Sequence, residues 1–74
     1  MELHERIRGL REDRDLNQTE IGKILHMSQR KISYIERGEK AITAEEIVAY
    51  CLLFNVSADW LLGLPDGLPY PKRK

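Results

Sequence analysis

Leu3, Ile7 and Leu10 fall at i, i+4 and i+7, with Arg and Glu filling most positions between them. That spacing predicts an amphipathic helix from about Glu2 to Asp13 with one apolar stripe. Asn17 followed three residues later by Glu20 has the form of a capping box, and Leu16 before it is placed as a staple residue. A second helix is therefore predicted from Gln18 to about Leu25, with Ile21, Ile24 and Leu25 facing inward. Only His26 and Met27 separate it from a third helix that opens on Ser28 as N-cap and stops just before Gly38. So short a connection holds the two helices at a fixed angle. Thr43 with Glu46 forms another capping box, starting a fourth helix whose Ile47–Phe54 run is apolar on nearly all sides and is expected at the centre of the fold. Ser57 caps a short fifth helix through Ala58, Asp59, Trp60, Leu61 and Leu62. After Gly63 the sequence Leu-Pro-Asp-Gly-Leu-Pro-Tyr-Pro forms turns rather than helix. With no alternating strand pattern and no internal repeat, the fold class is all-α with five helices. The helical domain is assigned to residues 1–63, and residues 64–74 are read as an extension with a basic end.

The third helix holds only two aliphatic side chains, Ile32 and Ile35, and these define its inward side. Arg30, Ser33, Tyr34 and Arg37 then point away from the core, and Gln29 stands at the exposed N-terminal end. This outward face offers guanidinium groups, a carboxamide, a hydroxyl and a phenol, and no acid. Gln bonds bidentately to adenine, Arg to guanine, and Ser or Tyr to phosphates, so the set suits reading a duplex groove. A solvated helix face is also polar, and helix geometry alone does not choose between the two readings. Glu36 favours the first. It lies near the inward side, one turn after Ile32, where an unpaired carboxylate is costly to desolvate. Arg11, on the first helix, is the candidate partner, and such a pair leaves the outward face free.

Composition bears on function in three ways. A chain of 74 residues suits one domain with a small core, so a second copy adding buried surface is considered early. Twelve Lys and Arg balance twelve Asp and Glu, which gives no overall pull toward nucleic acid or membranes. The distribution is uneven, because residues 41–71 hold four acids and no base, while the remaining bases lie before them or in Lys72-Arg73-Lys74. The terminal bases read as a solvated tail, with phosphate contact as the alternative. The longest apolar run is far too short to span a membrane, and there is no secretion signal, so the protein is expected to be cytoplasmic. Cys51 sits in the apolar fourth helix and reads as a packing residue. His4 and His26 lack spaced metal-ligating partners. No nucleophile-base arrangement or glycine-rich phosphate loop is present, and neither enzymatic activity nor a cofactor or metal is expected. Trp60 reads as a core anchor. Leu61, Leu64 and Leu68 either pack on the body or form a two-fold interface.

Three stretches carry a family resemblance: Leu16-Asn-Gln-Thr-Glu-Ile-Gly-Lys-Ile-Leu, Met27-Ser-Gln-Arg-Lys-Ile-Ser-Tyr-Ile-Glu-Arg-Gly, and Val56-Ser-Ala-Asp-Trp-Leu-Leu-Gly. In order and spacing they resemble the Cro and lambda-repressor-like helix-turn-helix domains, also called the xenobiotic-response-element family, over roughly residues 3 to 63. The resemblance implies a third helix that enters the major groove of double-stranded DNA and a second that crosses the backbone. Carried over by position, it gives Gln18 a phosphate contact at a helix N-terminus. It gives Gln29, Arg30 and Tyr34 base-edge or adjacent backbone contacts, and Ser33 a further contact. Arg37 and Lys40 match backbone-contacting positions, Arg11 and Glu36 a structural ion pair, and Gly22 a small residue where the two helices pack closely. His26 departs from the glycine common in the turn and is strained if left-handed. The neutral charge is a second departure and predicts weak non-specific DNA binding. The implied function is a repressor that binds a palindromic operator as a homodimer, with no small-molecule effector. A protein-interaction module on the same fold, such as an antitoxin subunit or helical adaptor, is the alternative.

Overall fold

Each helix begins where a side chain can take up backbone N–H groups that the helix itself leaves unbonded. In the computed structural model, which describes residues 2–65, 68 and 69, the helices are α1 (Leu3–Asp13), α2 (Gln18–Leu25), α3 (Gln29–Glu36), α4 (Ala44–Phe54) and α5 (Ala58–Leu62). The Asn17 side chain accepts from the Glu20 N–H at 2.7 Å, while the Glu20 carboxylate accepts from the Asn17 N–H at 2.8 Å. Thr43 and Glu46 repeat this exchange at 3.1 and 2.9 Å. Ser28 caps α3 and Ser57 caps α5, each accepting one N–H at 3.1 Å. On α1 the Glu5 carboxylate accepts from the Glu2 N–H at 2.8 Å, an acid-to-acid start that the sequence reading does not contain.

The helix ends matter as much for direction. Gly38, at φ 73°, closes α3: its N–H donates to the Ile35 carbonyl and the Glu39 N–H donates to the Tyr34 carbonyl, the paired bonds of a Schellman turn. His26 ends α2 at φ 58°, so the histidine does occupy the left-handed conformation that glycine holds more easily. The α2–α3 turn is tight against Gly22. A Cβ at that position would lie 2.5 Å from the Met27 carbonyl oxygen.

α2 packs on α3, α1 bridges α3 and α5, and α4 packs on α5. Their shared core is Ile7, Ile21, Ile32, Ile35, Tyr50, Phe54 and Leu61, each no more than 3% exposed. No helix among the described residues is long and apolar enough to cross a membrane.

Three expectations about burial are corrected. Ile24 is 48% exposed rather than inward, because the buried arc of α2 runs through Ile21, Gly22 and Leu25, and Ile24 lies roughly 100° off its centre. α4 is not enclosed on all sides: Tyr50 and Phe54 face the core, while Val48 and Leu52 on the opposite side are 56% and 79% exposed. α4 packs chiefly on the five-residue α5, which leaves its far side uncovered. Trp60 is 49% exposed and Leu61 takes the buried place on α5. The indole lies against Arg6 instead, whose guanidinium sits 5.7 Å from the ring and donates to the Trp60 carbonyl at 2.6 Å. Leu64 and Leu68 are exposed. The basic end, Lys72 to Lys74, lies outside the described residues.

Candidate nucleic-acid interface

The outward face of α3 is positioned from beneath by one polar network. Glu36 ends the helix on its inner side and is 5% exposed. Its carboxylate accepts two bonds from the Arg11 guanidinium, at 2.7 Å from Nε and 2.9 Å from Nη2, in the bidentate geometry that suits this pair. Arg11 also donates to the Leu16 carbonyl at 2.8 Å, so one side chain fixes α1 to α3 and to the start of the α2 segment. The Glu36 carboxylate raises the Arg11 pKa further above its ordinary value, chiefly through this hydrogen bond.

The network continues outward. Gln18 donates from Nε2 to Glu36 at 3.2 Å, and the Gln29 amide donates to Gln18 Oε1 at 2.6 Å. Gln18, placed by resemblance at a phosphate, therefore spends its carboxamide linking the buried acid to the first residue of α3. Gln29 is exposed, and with its amide oriented by Gln18 its carbonyl oxygen remains open to solvent. Neither link follows from periodicity, because residues eleven and eighteen positions apart meet only once the α2–α3 angle is known.

Arg30, Ser33, Tyr34 and Arg37 share the outer side of α3, and Lys40 follows in the loop; Arg30, Arg37 and Lys40 are exposed, while Ser33 and Tyr34 are half-buried. Tyr34 is the centre of this group. The Arg30 guanidinium lies 6.0 Å from its ring centroid and that of Arg37 lies 5.0 Å away. Arg30 and Lys40 also border a shallow hollow with Ser28, Lys31 and Tyr34. The face thus presents a flat aromatic ring with cations around it and an amide at one end, suited to phosphates and base edges.

Two residues outside the sequence-derived set shape these electrostatics. Lys31 pairs with Glu46, tying α3 to the start of α4. Burial works to raise the Glu46 pKa, but the bonds from Lys31 and Thr43 outweigh it and hold the carboxyl below its ordinary value. Glu39 pairs with Arg37 across the Gly38 turn. The Arg-Gly-Glu order at a helix end is the signal for that second pair, since a left-handed glycine folds the following side chain back toward the helix. Among the described residues no cluster of His, Cys, Asp and Glu has the geometry of a metal site.

A helix-turn-helix family model matches residues 7–61. Among solved structures the chain is similar to the P22 c2 repressor protein, determined in complex with synthetic operator 9T in the presence of Tl+. The two are 32% identical with a TM-score of 0.77, over 84% of this chain and 94% of that chain. No curated protein matches the sequence.

Proposed function

Because the chain belongs to the helix-turn-helix family and carries the lambda-repressor-like five-helix fold, we propose that it is a DNA-binding transcription regulator, a repressor that binds a palindromic operator as a homodimer. The observation that carries this reading is the α3 outer face: Gln29 oriented through Gln18 by the buried Arg11–Glu36 pair, beside Arg30, Ser33 and Tyr34. Fixing a side chain before binding removes part of the ordering cost of recognition, which a merely solvated face would not need. The P22 c2 repressor, similar over most of both chains, is itself seen on an operator.

In this reading α3 enters the major groove. Gln29 and Arg30 contact base edges, Tyr34 and Ser33 contact bases or adjacent backbone, and Arg37 and Lys40 hold the phosphates that flank the groove. Gln18 adds backbone contact through the N-terminus of α2. Residues 1–63 form the binding unit, with 64–74 an extension of it, and the protein works in the cytoplasm without a cofactor or effector. The exposed Trp60, Leu62, Leu64 and Leu68 supply an apolar surface for the two-fold contact.

The test is selection of the purified protein against random duplex DNA, followed by Gln29→Ala and Arg30→Ala. Each substitution is expected to relax one base position by about 1–3 kcal/mol and leave the others intact. A two-fold motif with half-sites about ten base pairs apart supports the homodimer. Failure of the wild-type protein to enrich any sequence at low salt refutes the DNA reading. The exposed Val48 and Leu52 then favour the second reading, a module that binds another protein.

A further inference from the structure

Of the three exposed cations grouped around Tyr34 and the loop after α3, one is already neutralised. Arg37 pairs with Glu39, and both side chains are 54% exposed, so the pair stands in solvent on the outer surface. Arg30 and Lys40 have no ion pair among the described residues. The pairing is not a chance meeting of two loose side chains. Arg37 is seated on the Tyr34 ring. The base of Glu39 is fixed by the bond from its own N–H to the Tyr34 carbonyl at 2.9 Å. Gly38 between them is left-handed at φ 73°, a conformation that strains any other residue, and a Cβ there would press on the His4 ring at 3.0 Å. Backbone and ring together hold carboxylate and guanidinium in reach of each other before any ligand arrives.

We propose that Glu39 is an internal competitor for DNA phosphate, which occupies Arg37 in the free protein and yields it only where a bound duplex can displace the carboxylate. The inference rests on the DNA reading given above and assigns Glu39 a positioning role in specificity. A carboxylate and a phosphate compete for the N–H donors of one guanidinium, of which Glu39 holds the Nε. On an unrelated sequence, where Gln29 and Arg30 find no matching base edges, the duplex sits loosely and Arg37 stays on Glu39. On a matched sequence the base contacts bring the phosphate close, and the pair exchanges partners. Glu39 thereby lowers affinity for unrelated DNA more than affinity for the operator.

The experiment measures binding to an unrelated duplex and to the selected operator over a range of salt, for wild type, Glu39→Gln, Arg37→Met and the double variant. Because an exposed pair is weak, Glu39→Gln is expected to tighten unrelated DNA by about two- to fivefold. Its salt dependence should steepen by about 0.9 in log–log slope, one phosphate's worth of released counterions. Operator affinity should change less, so the specificity ratio falls. In the Arg37→Met background Glu39→Gln should change neither affinity nor slope, because Glu39 acts through Arg37. An equal gain in both backgrounds overturns the proposal and makes Glu39 a charge that repels phosphate directly. An unchanged slope in Glu39→Gln also overturns it. Either result leaves DNA binding standing, whereas absence of wild-type binding to any duplex defeats both.

Discussion

Substituting Glu36 by alanine removes the acceptor of two Arg11 bonds at 2.7 and 2.9 Å and of the Gln18 bond at 3.2 Å, from a side chain that is 2% exposed. Breaking a buried pair from one side costs about 3–5 kcal/mol, since the surviving charge keeps its desolvation and loses its partner. Arg11 is itself 12% exposed at the side chain and retains the Leu16 carbonyl at 2.8 Å, which places the loss near the lower bound, about 3 kcal/mol. For a domain of this size such a loss lowers Tm by about 12–24 °C. The assay is thermal unfolding followed by circular dichroism at one protein concentration, so that any self-association contributes equally to every variant. Arg11→Met combined with Glu36→Leu should be less destabilised than the sum of its two single variants, because it leaves no stranded charge. A Tm shift of only one or two degrees for Glu36→Ala, or strict additivity in the pair, refutes the reasoning and makes the contact a surface pair that happens to be covered.

Gly22→Ala should cost about 1–3 kcal/mol by forcing the α2–α3 turn apart, since its Cβ would stand 2.5 Å from the Met27 oxygen; urea unfolding at unchanged m-value checks this, and a stabilised variant rejects it. The Glu46 carboxyl has a folded pKa below its ordinary 4.5, so its contribution to stability is complete above that pH and is lost as pH falls through the lowered value. Lys31→Met should therefore flatten the fall of stability with acid below about pH 4.5, and an unchanged acid limb would show that Lys31 does not set the shift.

The caps are legible in the sequence because each is settled within four residues: Asn17 with Glu20, Thr43 with Glu46, Ser28 and Ser57 need no knowledge of the rest of the chain. Boundaries and the all-α architecture follow from them. Burial is less legible. Periodicity states which residues share a face, and it cannot state how much of that face the neighbouring helices cover, so Ile24, Val48, Leu52 and Trp60 all read as more enclosed than they are. At the interface, an inward carboxylate demands a cation, which makes Arg11 the candidate partner of Glu36, a pair the family resemblance also implies. The links from Glu36 through Gln18 to Gln29 depend on an interhelical angle, and the Arg37–Glu39 pair depends on a left-handed glycine. Both are products of three-dimensional placement.

The path from Arg11 to Gln29 also bears on how such a surface can change over generations. A substitution at Gln29 releases the Gln18 amide oxygen and disturbs a bond that runs back to the buried Glu36, whereas a substitution at Arg30 meets only the half-buried Tyr34 ring. On the proposed reading, a lineage of this protein drifting toward a new target sequence can move at Arg30 with little loss of foldedness. Movement at Gln29 would need a compensating exchange at Gln18, so these two positions should vary together while Arg30 varies alone.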